Sequence, residues 1–267
     1  MTDPTDRTLT GPVADLALAF THLRRRAGRL HPRLGPADTT RDIREHPAPE
    51  MGQIVTVDGI RMRIDPLMSD FNIRKLASGR HTVHERSLLS RHLRDEDRVL
   101  ELGGGIGMVA IHCARRLGPG RVLSYEGNPR MEPLIRENYA LNGVEPDLRM
   151  AVLGEREGSV TFYVAERFSH SAMTDNSGQG TAITVPMEPY EDARRDFKPT
   201  VLVVDIQGAE IEFFRYASLE GVRMVLVEFH PPVTGILPIL GARRSLRRQG
   251  FIESARSGSS SVFVRSG

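Results

Sequence analysis

Cysteine and tryptophan are almost absent from this 267-residue chain, which has a single cysteine and no tryptophan. The one cysteine, Cys113, excludes a disulfide within the chain and indicates a reducing compartment. It lies beside apolar residues in a predicted helix, so we expect a buried thiol and not a nucleophile. Without tryptophan, and with few aromatic residues near its basic stretches, the chain lacks the stacking surface typical of nucleic-acid binding. The composition therefore predicts no nucleic-acid partner.

Long apolar runs and a strong net charge are also missing. No apolar stretch is long enough to span a bilayer, and the N-terminus has acidic residues where a secretory signal would have basic ones. The formal net charge is +2, so the overall charge does not indicate an acidic partner. We therefore predict a cytoplasmic protein.

Residues 1–50 are predicted to form an arm outside the main domain, which would occupy residues 51–267. Residues 13–30 carry apolar residues at helical spacing and several arginines near the end, which predicts a basic amphipathic helix. Such a helix suits a membrane surface or a protein partner, or packs on the main domain with its basic end in solvent. Prolines then interrupt the chain up to about residue 50 and indicate a linker.

The main domain begins with a hairpin signal and continues as alternating strands and helices. Alternating apolar and polar residues around Asp58-Gly59 predict a hairpin at 54–64. Repeated strand–helix alternation is typical of a parallel sheet covered by helices on both faces. We predict an α/β fold with a doubly wound, mostly parallel seven-stranded sheet and an N-terminal helical and hairpin extension. An insertion at about 159–199, near the acceptor site, carries strand-like runs of its own.

The predicted elements follow from the apolar runs and from the turn-forming residues between them. Strands are expected near 98–102, 121–126, 147–152, 201–205 and 223–229, with closing strands at 251–254 and 261–264 around Gly258. Helices are expected near 107–117, 129–142, 208–218 and 239–249. One of the closing strands is expected to be antiparallel.

The stretch Val99-Leu100-Glu101-Leu102-Gly103-Gly104-Gly105-Ile106-Gly107 is the most informative in the chain. It predicts a buried strand that ends in an acid and turns through glycines into a helix. Glycine lets bare backbone approach a ligand and accepts positive φ. A carboxylate at Glu101 suits the cationic ligand S-adenosylmethionine and would repel a pyrophosphate. These residues favour a methyl-donor site.

A nicotinamide cofactor is the alternative at this turn. Residues 105–110 satisfy the G-x-G-x-x-A pattern, and Glu126 ends the next strand at the spacing of a ribose-binding acid. Since both cofactors carry an adenosine ribose, Glu126 supports either one. Glu101 favours S-adenosylmethionine.

Ligands of open parallel sheets bind beyond the carboxyl ends of the strands, so the strand ends nominate the remaining contacts. Glu126 would accept hydrogen bonds from the ribose hydroxyls, and the two residues after it would flank adenine. Asp205 follows a strand of four apolar residues and would lie at the mouth of the site or cap the next helix. The predicted cofactor contacts are Glu101, Gly103, Gly104, Gly105, Gly107, Glu126, Gly127, Asn128, Ala151, Val152 and Asp205.

Three segments together resemble the FkbM family of methyltransferases: the glycine turn at 101–107, Tyr125-Glu126-Gly127-Asn128-Pro129, and Asp205-Ile206-Gln207-Gly208-Ala209-Glu210. The resemblance covers about residues 54–265. Gln207 replaces a glutamate of the family pattern, and His81 replaces an aromatic residue between Gly79 and Glu85. The resemblance implies a class I Rossmann-like fold, O-methylation of secondary metabolites, sugars or lipids, and cofactor-pocket contacts by Gly79 and Glu85.

A hydroxyl acceptor needs a base, and histidine suits neutral pH. His230 directly follows a predicted strand and is the first candidate, ahead of His170 in the insertion and Asp205. Asp205, Glu228 and His230 could also converge as metal ligands, although no spacing in the sequence requires a metal.

The sequence therefore predicts an S-adenosylmethionine-dependent O-methyltransferase with a small-molecule or glycoconjugate acceptor. The alternatives are a non-catalytic S-adenosylmethionine-binding partner subunit, recruited through residues 13–30, and a nicotinamide-dependent oxidoreductase. The oligomeric state is not determined by the sequence, and a homodimer is compatible with it.

Overall fold

The computed structural model describes residues 39–164 and 180–266. The chain divides into two compact units, Met1–Asp42 and Ile43–Gly267. The predicted helix at 13–30 and the candidate base His170 lie outside the described residues. The predicted domain boundary at residue 50 stays a prediction.

The described helices and strands alternate along the chain. The strands are β1 (Ile54–Val57), β2 (Ile60–Arg63), β3 (Val99–Leu102), β4 (Val122–Tyr125), β5 (Asp147–Arg149), β6 (Val152–Gly154), β7 (Gly158–Val164), β8 (Thr181–Pro189), β9 (Val201–Val204), β10 (Met224–Glu228), β11 (Phe251–Ser257) and β12 (Ser260–Arg265). The α-helices are α1 (Thr39–Glu45), α2 (Asp70–Ala77), α3 (Val83–His92), α4 (Met108–Leu117), α5 (Glu132–Leu141), α6 (Tyr190–Phe197), α7 (Glu210–Tyr216), α8 (Pro231–Thr234) and α9 (Ile236–Arg248). A 3-10 turn at Pro129–Met131 precedes α5.

Seven strands form the central sheet, in the order β11-β12-β10-β9-β3-β4-β5. Strand β12 is antiparallel to both of its neighbours, and the remaining strands run parallel to one another. This is the order of class I methyltransferase sheets. The predicted doubly wound fold is confirmed, and β12 is the antiparallel closing strand.

Apart from Glu101 and Glu228, the middle strands β3, β9 and β10 are apolar on both faces because helices cover both faces. On one face, Val99, Val203 and Leu226 belong to a core that includes α3, α4 and α5. On the other face, Leu100, Val204 and Val227 belong to a core that includes α7 and α9. Alternating residues of each strand enter opposite cores, since successive strand side chains point to opposite faces.

The predicted hairpin at 54–64 is confirmed as the antiparallel pair β1–β2. Its turn residues Asp58 and Gly59 both have positive φ, at 50° and 75°. Two positive φ values are what a two-residue hairpin turn requires, and Asp-Gly supplies them at low cost.

The predicted strand at 147–152 is divided in the structure. Strand β5 ends at Arg149, and β6 begins at Val152 in a separate three-stranded sheet of order β6-β8-β7. Strands β7 and β8 pair antiparallel, and β6 pairs parallel with β8. The insertion therefore contributes a small sheet beside the carboxyl end of β5, followed by α6. Within the described residues, no helix is both long enough and apolar enough to cross a membrane.

Candidate functional site

A cavity lies at the carboxyl edge of the central sheet, where β9, β3 and β4 end. It encloses about 680 Å³ of empty space, counting solvent at its mouth. Its lining comprises Leu102, Gly103, Gly105, Tyr125, Glu126, Gly127, Ala151, Val152, Leu153, Phe162, Asp205, Ile206 and Gln207. The crevice beyond the carboxyl ends of parallel strands is where open α/β sheets bind ligands.

Gly103 joins the two motifs of the sequence. It has φ of 92°, and a Cβ at this position would lie 1.9 Å from the carbonyl oxygen of Asp205. The Asp205 amide in turn donates to the carbonyl oxygen of Leu102 at 3.0 Å. Only glycine allows the end of β3 and the end of β9 to approach this closely.

Glu126 holds the glycine turn against the end of β4. Its carboxylate accepts the Gly105 amide at 2.8 Å and the Asn128 amide at 2.7 Å. The side chain is 5% exposed, and burial raises its pKa, against the effect of these backbone hydrogen bonds. A carboxylate has further lone pairs, so the predicted ribose contact is compatible with these bonds.

One end of the cavity is apolar and closely packed around Gly127. A Cβ on Gly127 would lie 2.7 Å from the Phe162 ring and 2.9 Å from Cγ1 of Val152. Phe162 comes from β7, in the three-stranded sheet, so the insertion contributes directly to this end of the cavity.

Several predicted cofactor residues support the turn without lining the cavity. Glu101 is 2% exposed, and its carboxyl accepts a hydrogen bond from the Ser124 hydroxyl. Gly104 donates to the carbonyl oxygen of Tyr125 at 3.0 Å, and Gly107 packs against the ring of Tyr139.

Burial raises the pKa of Glu101 to about 8, the charge of Glu126 adds to this effect, and the Ser124 hydrogen bond opposes it. At this pKa Glu101 is mostly a neutral acid at pH 7. Its predicted contact with the cofactor ammonium group stays a prediction.

Asn128, Gly79 and Glu85 also lie outside the cavity lining. The Asn128 side chain accepts the Arg130 amide at 3.1 Å and so begins the 3-10 turn. The Gly79 carbonyl accepts a hydrogen bond from Arg86 at 3.4 Å in the loop between α2 and α3. Buried Glu85 accepts a hydrogen bond from Ser260, and it is close enough to raise the pKa of Asp205.

Asp205, Glu228 and His230 converge where β9 and β10 end. One ligand atom of each lies within 4.8 Å of the other two. His230 Nε2 is 3.5 Å from Asp205 Oδ1, which also accepts a hydrogen bond from Gln207 Nε2 at 3.0 Å. The positions of these three residues near strand ends predicted that they could converge. The parallel pairing of β9 with β10 brings them together.

Glu210, at the start of α7, organises this cluster although no role was predicted for it. Its side chain is wholly buried and hydrogen-bonds His230 Nδ1 at 2.9 Å. The same carboxylate accepts the amides of Ile206 and Gly208, at 3.3 and 3.1 Å. It therefore fixes both the loop after β9 and the orientation of the His230 ring.

The charges of this cluster are strongly coupled. Burial raises the pKa of Asp205 well above its usual range, and the charge of Glu228 adds to this effect. Burial lowers the pKa of His230, but the Glu210 hydrogen bond and the charge of Asp205 outweigh it and raise the pKa to about 9. At this pKa His230 is protonated at pH 7 and cannot accept a proton. Its predicted role as a base requires a ligand that displaces this proton.

Two residues of the site had only indirect sequence signals. Phe162 lies in a strand-like run far from the motifs, and nothing local shows which face of that strand reaches the cavity. Glu210 is part of the Asp205–Glu210 motif. Its spacing from Gly208, at the start of a helix, is the sequence feature that could have identified it.

Residues 54–168 match the model of the TRM5/TYW2 methyltransferase domain. The ribosomal protein L11 methyltransferase of Thermus thermophilus is 41% identical over 71 residues, which are 26% of this chain and 27% of that protein. The protein of the same name from Symbiobacterium thermophilum is 32% identical over 126 residues, 45% of this chain and 36% of that protein. The matches thus span only about a third of these relatives.

Two solved structures are similar at low sequence identity. TYW2 of M. jannaschii, in complex with AdoMet, has a TM-score of 0.42 and 13% identity, over 81% of this chain and 88% of that one. FkbM of Methylobacillus flagellatus has a TM-score of 0.43 and 15% identity, over 75% of this chain and 55% of that one. FkbM membership stays a prediction. The sheet order and the sequence matches agree on a class I methyltransferase domain whose cofactor is S-adenosylmethionine.

Proposed function

We propose that this chain is an S-adenosylmethionine-dependent methyltransferase that methylates a hydroxyl group on a small molecule or glycoconjugate. The observation that carries the proposal is the single cavity that combines Glu126, an apolar end at Gly127 and an acidic end at Asp205. These are the features that a ribose, an adenine and a sulfonium cation need from a protein. Membership of the FkbM family is part of the proposal.

The order of the strands suggests how the cofactor lies in the cavity. Adenine would lie beside Gly127, against the apolar side chains of Val152 and Phe162, with the ribose hydroxyls donating to Glu126. The methionine part would cross Gly103 toward Asp205, where the surrounding carboxylates favour its positive charge.

The acceptor would bind beyond Asp205, at the end of β10. Carboxylates dominate this region, so the phosphate groups of a nucleic acid would be repelled there. Exposed apolar side chains follow His230 directly: Val233, Ile236 and Leu237 are 43%, 69% and 80% exposed. A hydroxylated acceptor with an apolar body suits this combination of an acidic site and an apolar rim.

The reaction is an in-line displacement at the methyl carbon. The acceptor oxygen forms the new O–C bond while the C–S bond breaks and its electron pair stays on sulfur, which leaves S-adenosylhomocysteine. The hydroxyl proton goes to a base, for which Asp205 and His230 are the candidates within the described residues, and His170 is a third candidate outside them. The protein contributes mainly by aligning the acceptor and excluding water.

A protein is the second candidate acceptor, because the curated relatives are named ribosomal protein L11 methyltransferases. The loop after β9 argues against nucleobase amines as acceptors. It has Asp205-Ile206-Gln207-Gly208, where amino-methyltransferases of nucleobases usually carry Asn/Asp-Pro-Pro followed by an aromatic residue.

Calorimetric titration with S-adenosylhomocysteine tests the cofactor part of the proposal. We expect micromolar binding, about −8 kcal/mol, and no heat from NAD. Glu126→Gln should weaken binding at least about tenfold, because the ribose loses a charged acceptor worth roughly 1.5–3 kcal/mol. Glu132→Gln, an exposed change in α5 that also removes one carboxylate, should bind like the wild type.

Transfer of a radioactive methyl group tests the acceptor. The proposal predicts label in hydroxylated small molecules or glycans, as a methyl ether, when the protein is offered these, ribosomal protein L11 and tRNA. Label on L11 would support the second candidate instead. Cofactor binding without transfer to any acceptor class would favour the non-catalytic subunit, and binding of NAD alone would favour the oxidoreductase.

A further inference from the structure

We propose that Asp205, Glu228 and His230 bind one divalent metal ion, which holds the acceptor oxygen and promotes loss of its proton. The inference rests on the proposed function for the role of the ion, while the ion site itself can be tested separately. It identifies a binding site that neither the methyl-donor cavity nor the matched relatives assign.

The three ligand atoms are slightly farther apart than the ligands of a bound ion, and small movements would bring them to coordinating distance. Ligands at about 2.1 Å from an octahedral ion lie about 3.0 Å apart when they are neighbours. His230 Nε2 and Asp205 Oδ1 are already 3.5 Å apart, and all three atoms lie within 4.8 Å of one another. Small side-chain rotations of the half-buried Asp205 and Glu228 would complete one face of an octahedron.

The His230 ring is held in the orientation that a metal ligand needs. Its Nδ1 is bound at 2.9 Å by the wholly buried carboxylate of Glu210, which leaves Nε2 facing Asp205 and Glu228. A carboxylate behind a ligating histidine fixes the tautomer and makes the ligand nitrogen more basic. Because the Ile206 and Gly208 amides also donate to Glu210, this carboxylate is itself held in place behind the ring.

The excess of carboxylates at this site also favours binding of a cation. Among the described residues, no lysine or arginine forms an ion pair with Asp205, Glu210 or Glu228, and His230 is their one basic partner. The only other cation expected here is the sulfonium of the cofactor, which would lie on the Gly103 side of Asp205. A metal ion would occupy the opposite side, toward the end of β10.

The donor set indicates the kind of metal. Two carboxylate oxygens suit Mg²⁺ and Mn²⁺, and the added imidazole nitrogen favours Mn²⁺ over Mg²⁺. Three protein ligands leave positions for water and for the acceptor oxygen. A bound cation would lower the pKa of that hydroxyl. Since Asp205 and His230 would then hold the ion and not act as bases, the proton would pass to solvent while the oxygen forms the O–C bond and sulfur keeps the C–S electron pair.

Mn²⁺ titration of the metal-stripped full chain, followed by the loss of the free-ion EPR signal, tests the site. We expect one Mn²⁺ per chain, and at least about tenfold weaker binding in Asp205→Asn and His230→Gln. Glu210→Gln keeps all three ligands but removes the carboxylate that orients His230, so it should weaken binding by roughly 10- to 100-fold. Glu132→Gln is the matched control for loss of one negative charge and should bind Mn²⁺ like the wild type.

A spectroscopic reading separates ligand loss from misfolding. Pulsed EPR of the Mn²⁺ complex should show nitrogen coupling in the wild type and in Glu228→Gln, and no such coupling in His230→Gln. Melting temperature, measured on every sample, reports whether each variant is folded, and S-adenosylhomocysteine binding gives a second reading for Glu228→Gln and His230→Gln, which lie outside the cavity lining.

Two results would overturn the inference. Absence of Mn²⁺ and Mg²⁺ binding by a protein that binds S-adenosylhomocysteine would leave the proposed function intact and make His230 a protonated partner of Asp205. Mn²⁺ binding that no variant weakens would locate the ion elsewhere. Metal binding without binding of S-adenosylhomocysteine would instead reject the proposed function and keep the metal site.

Discussion

Gly127 has almost no room for a side chain, and this makes it a direct test of the apolar end of the cavity. Gly127→Ala would bring a Cβ to within 2.7 Å of Phe162 and 2.9 Å of Val152. Phe162 and Val152 would have to move away, which destabilises the fold by about 1–3 kcal/mol and displaces the apolar surface proposed to contact adenine, so we expect S-adenosylhomocysteine to bind roughly tenfold more weakly. Gly158→Ala, whose Cβ would meet only the Met187 methyl at 3.9 Å, is the control and should bind normally. Equal affinities for the two variants in calorimetry would contradict adenine binding beside Gly127.

Glu101 predicts a pH dependence of stability. Its pKa is about 8 in the folded protein and near 4.5 in the unfolded chain, so the folded state binds the proton more tightly. This group therefore lowers the stability of the protein as pH rises from about 4.5 to about 8. Glu101→Gln cannot ionise and should gain stability relative to the wild type between pH 5.5 and pH 8.5. Urea unfolding at both pH values measures this, and parallel curves for the two proteins would contradict the prediction.

At the scale of single residues, the sequence indicated which acids lie near strand ends but not which way their side chains point. Glu126 and Asp205 line the cavity, and each directly follows a strand that ends at the same edge of the parallel sheet. Glu101 was predicted to end its strand, but it lies within β3, and its carboxyl accepts a hydrogen bond from Ser124. The direction of a side chain at a strand end depends on the pleat and on its neighbours across the sheet, which the sequence does not specify.

At the scale of elements, helix α9 offers a test of backbone effects that involves no contact with the cavity lining. Gly241 lies exposed within α9, and a Cβ there would meet nothing within 4 Å. Gly241→Ala should therefore stabilise the protein by about 0.5–1 kcal/mol, because alanine loses less entropy in a helix.

Gly235, just before α9, is the matched contrast. A Cβ there also has space, with Pro238 Cδ at 4.0 Å, but φ is 75° and ψ is 169°. This conformation is nearly restricted to glycine, so Gly235→Ala should destabilise the protein by about 1–3 kcal/mol. Thermal unfolding of both variants should give shifts of opposite sign, and a shared sign would refute the backbone explanation.

The insertion shows what element prediction missed. The strand-like runs were found because alternating β-branched residues carry a local signal, but the pairing of β8 with β6 has no such signal. Because of that pairing, residues 152–154 belong to the three-stranded sheet and not to the central one, and Phe162 lies at the cavity. Long-range strand pairing therefore changed both the boundary of a predicted strand and the lining of the site.

At the scale of the whole molecule, Asp97 joins the starts of three parallel strands on the edge opposite the cavity. Its carboxylate accepts hydrogen bonds from Arg223 Nε at 2.8 Å, from the Thr200 hydroxyl at 2.7 Å and from the Arg94 amide at 2.7 Å. Asp97 precedes β3, Thr200 precedes β9 and Arg223 precedes β10. Burial opposes the charge of Asp97, but the Arg223, Arg94 and Thr200 hydrogen bonds outweigh it and lower its pKa below the usual range.

Asp97→Asn should cost about 3 kcal/mol at pH 7, because Arg223 then lacks its buried partner. The folded carboxylate protonates at lower pH than the unfolded one, so its contribution is lost as pH falls below about 4. The gap between wild type and variant should therefore shrink between pH 7 and pH 3, as measured by urea unfolding. Asp95→Asn, whose carboxylate is 87% exposed beside Arg116, should change stability by less than about 0.5 kcal/mol. A gap that is constant with pH would contradict the assigned role of Asp97.

The sequence by itself determined the order and type of the elements, the glycine turn and the acids at the strand ends. Apolar periodicity and glycine placement act through neighbouring residues, so their effects can be recognised locally. The tertiary structure decided which of those acids face the cavity, that Phe162 lines it, and that Glu210 orients His230. These outcomes depend on strand pairing and packing between residues far apart in the chain, and such contacts form only when the whole sheet is assembled.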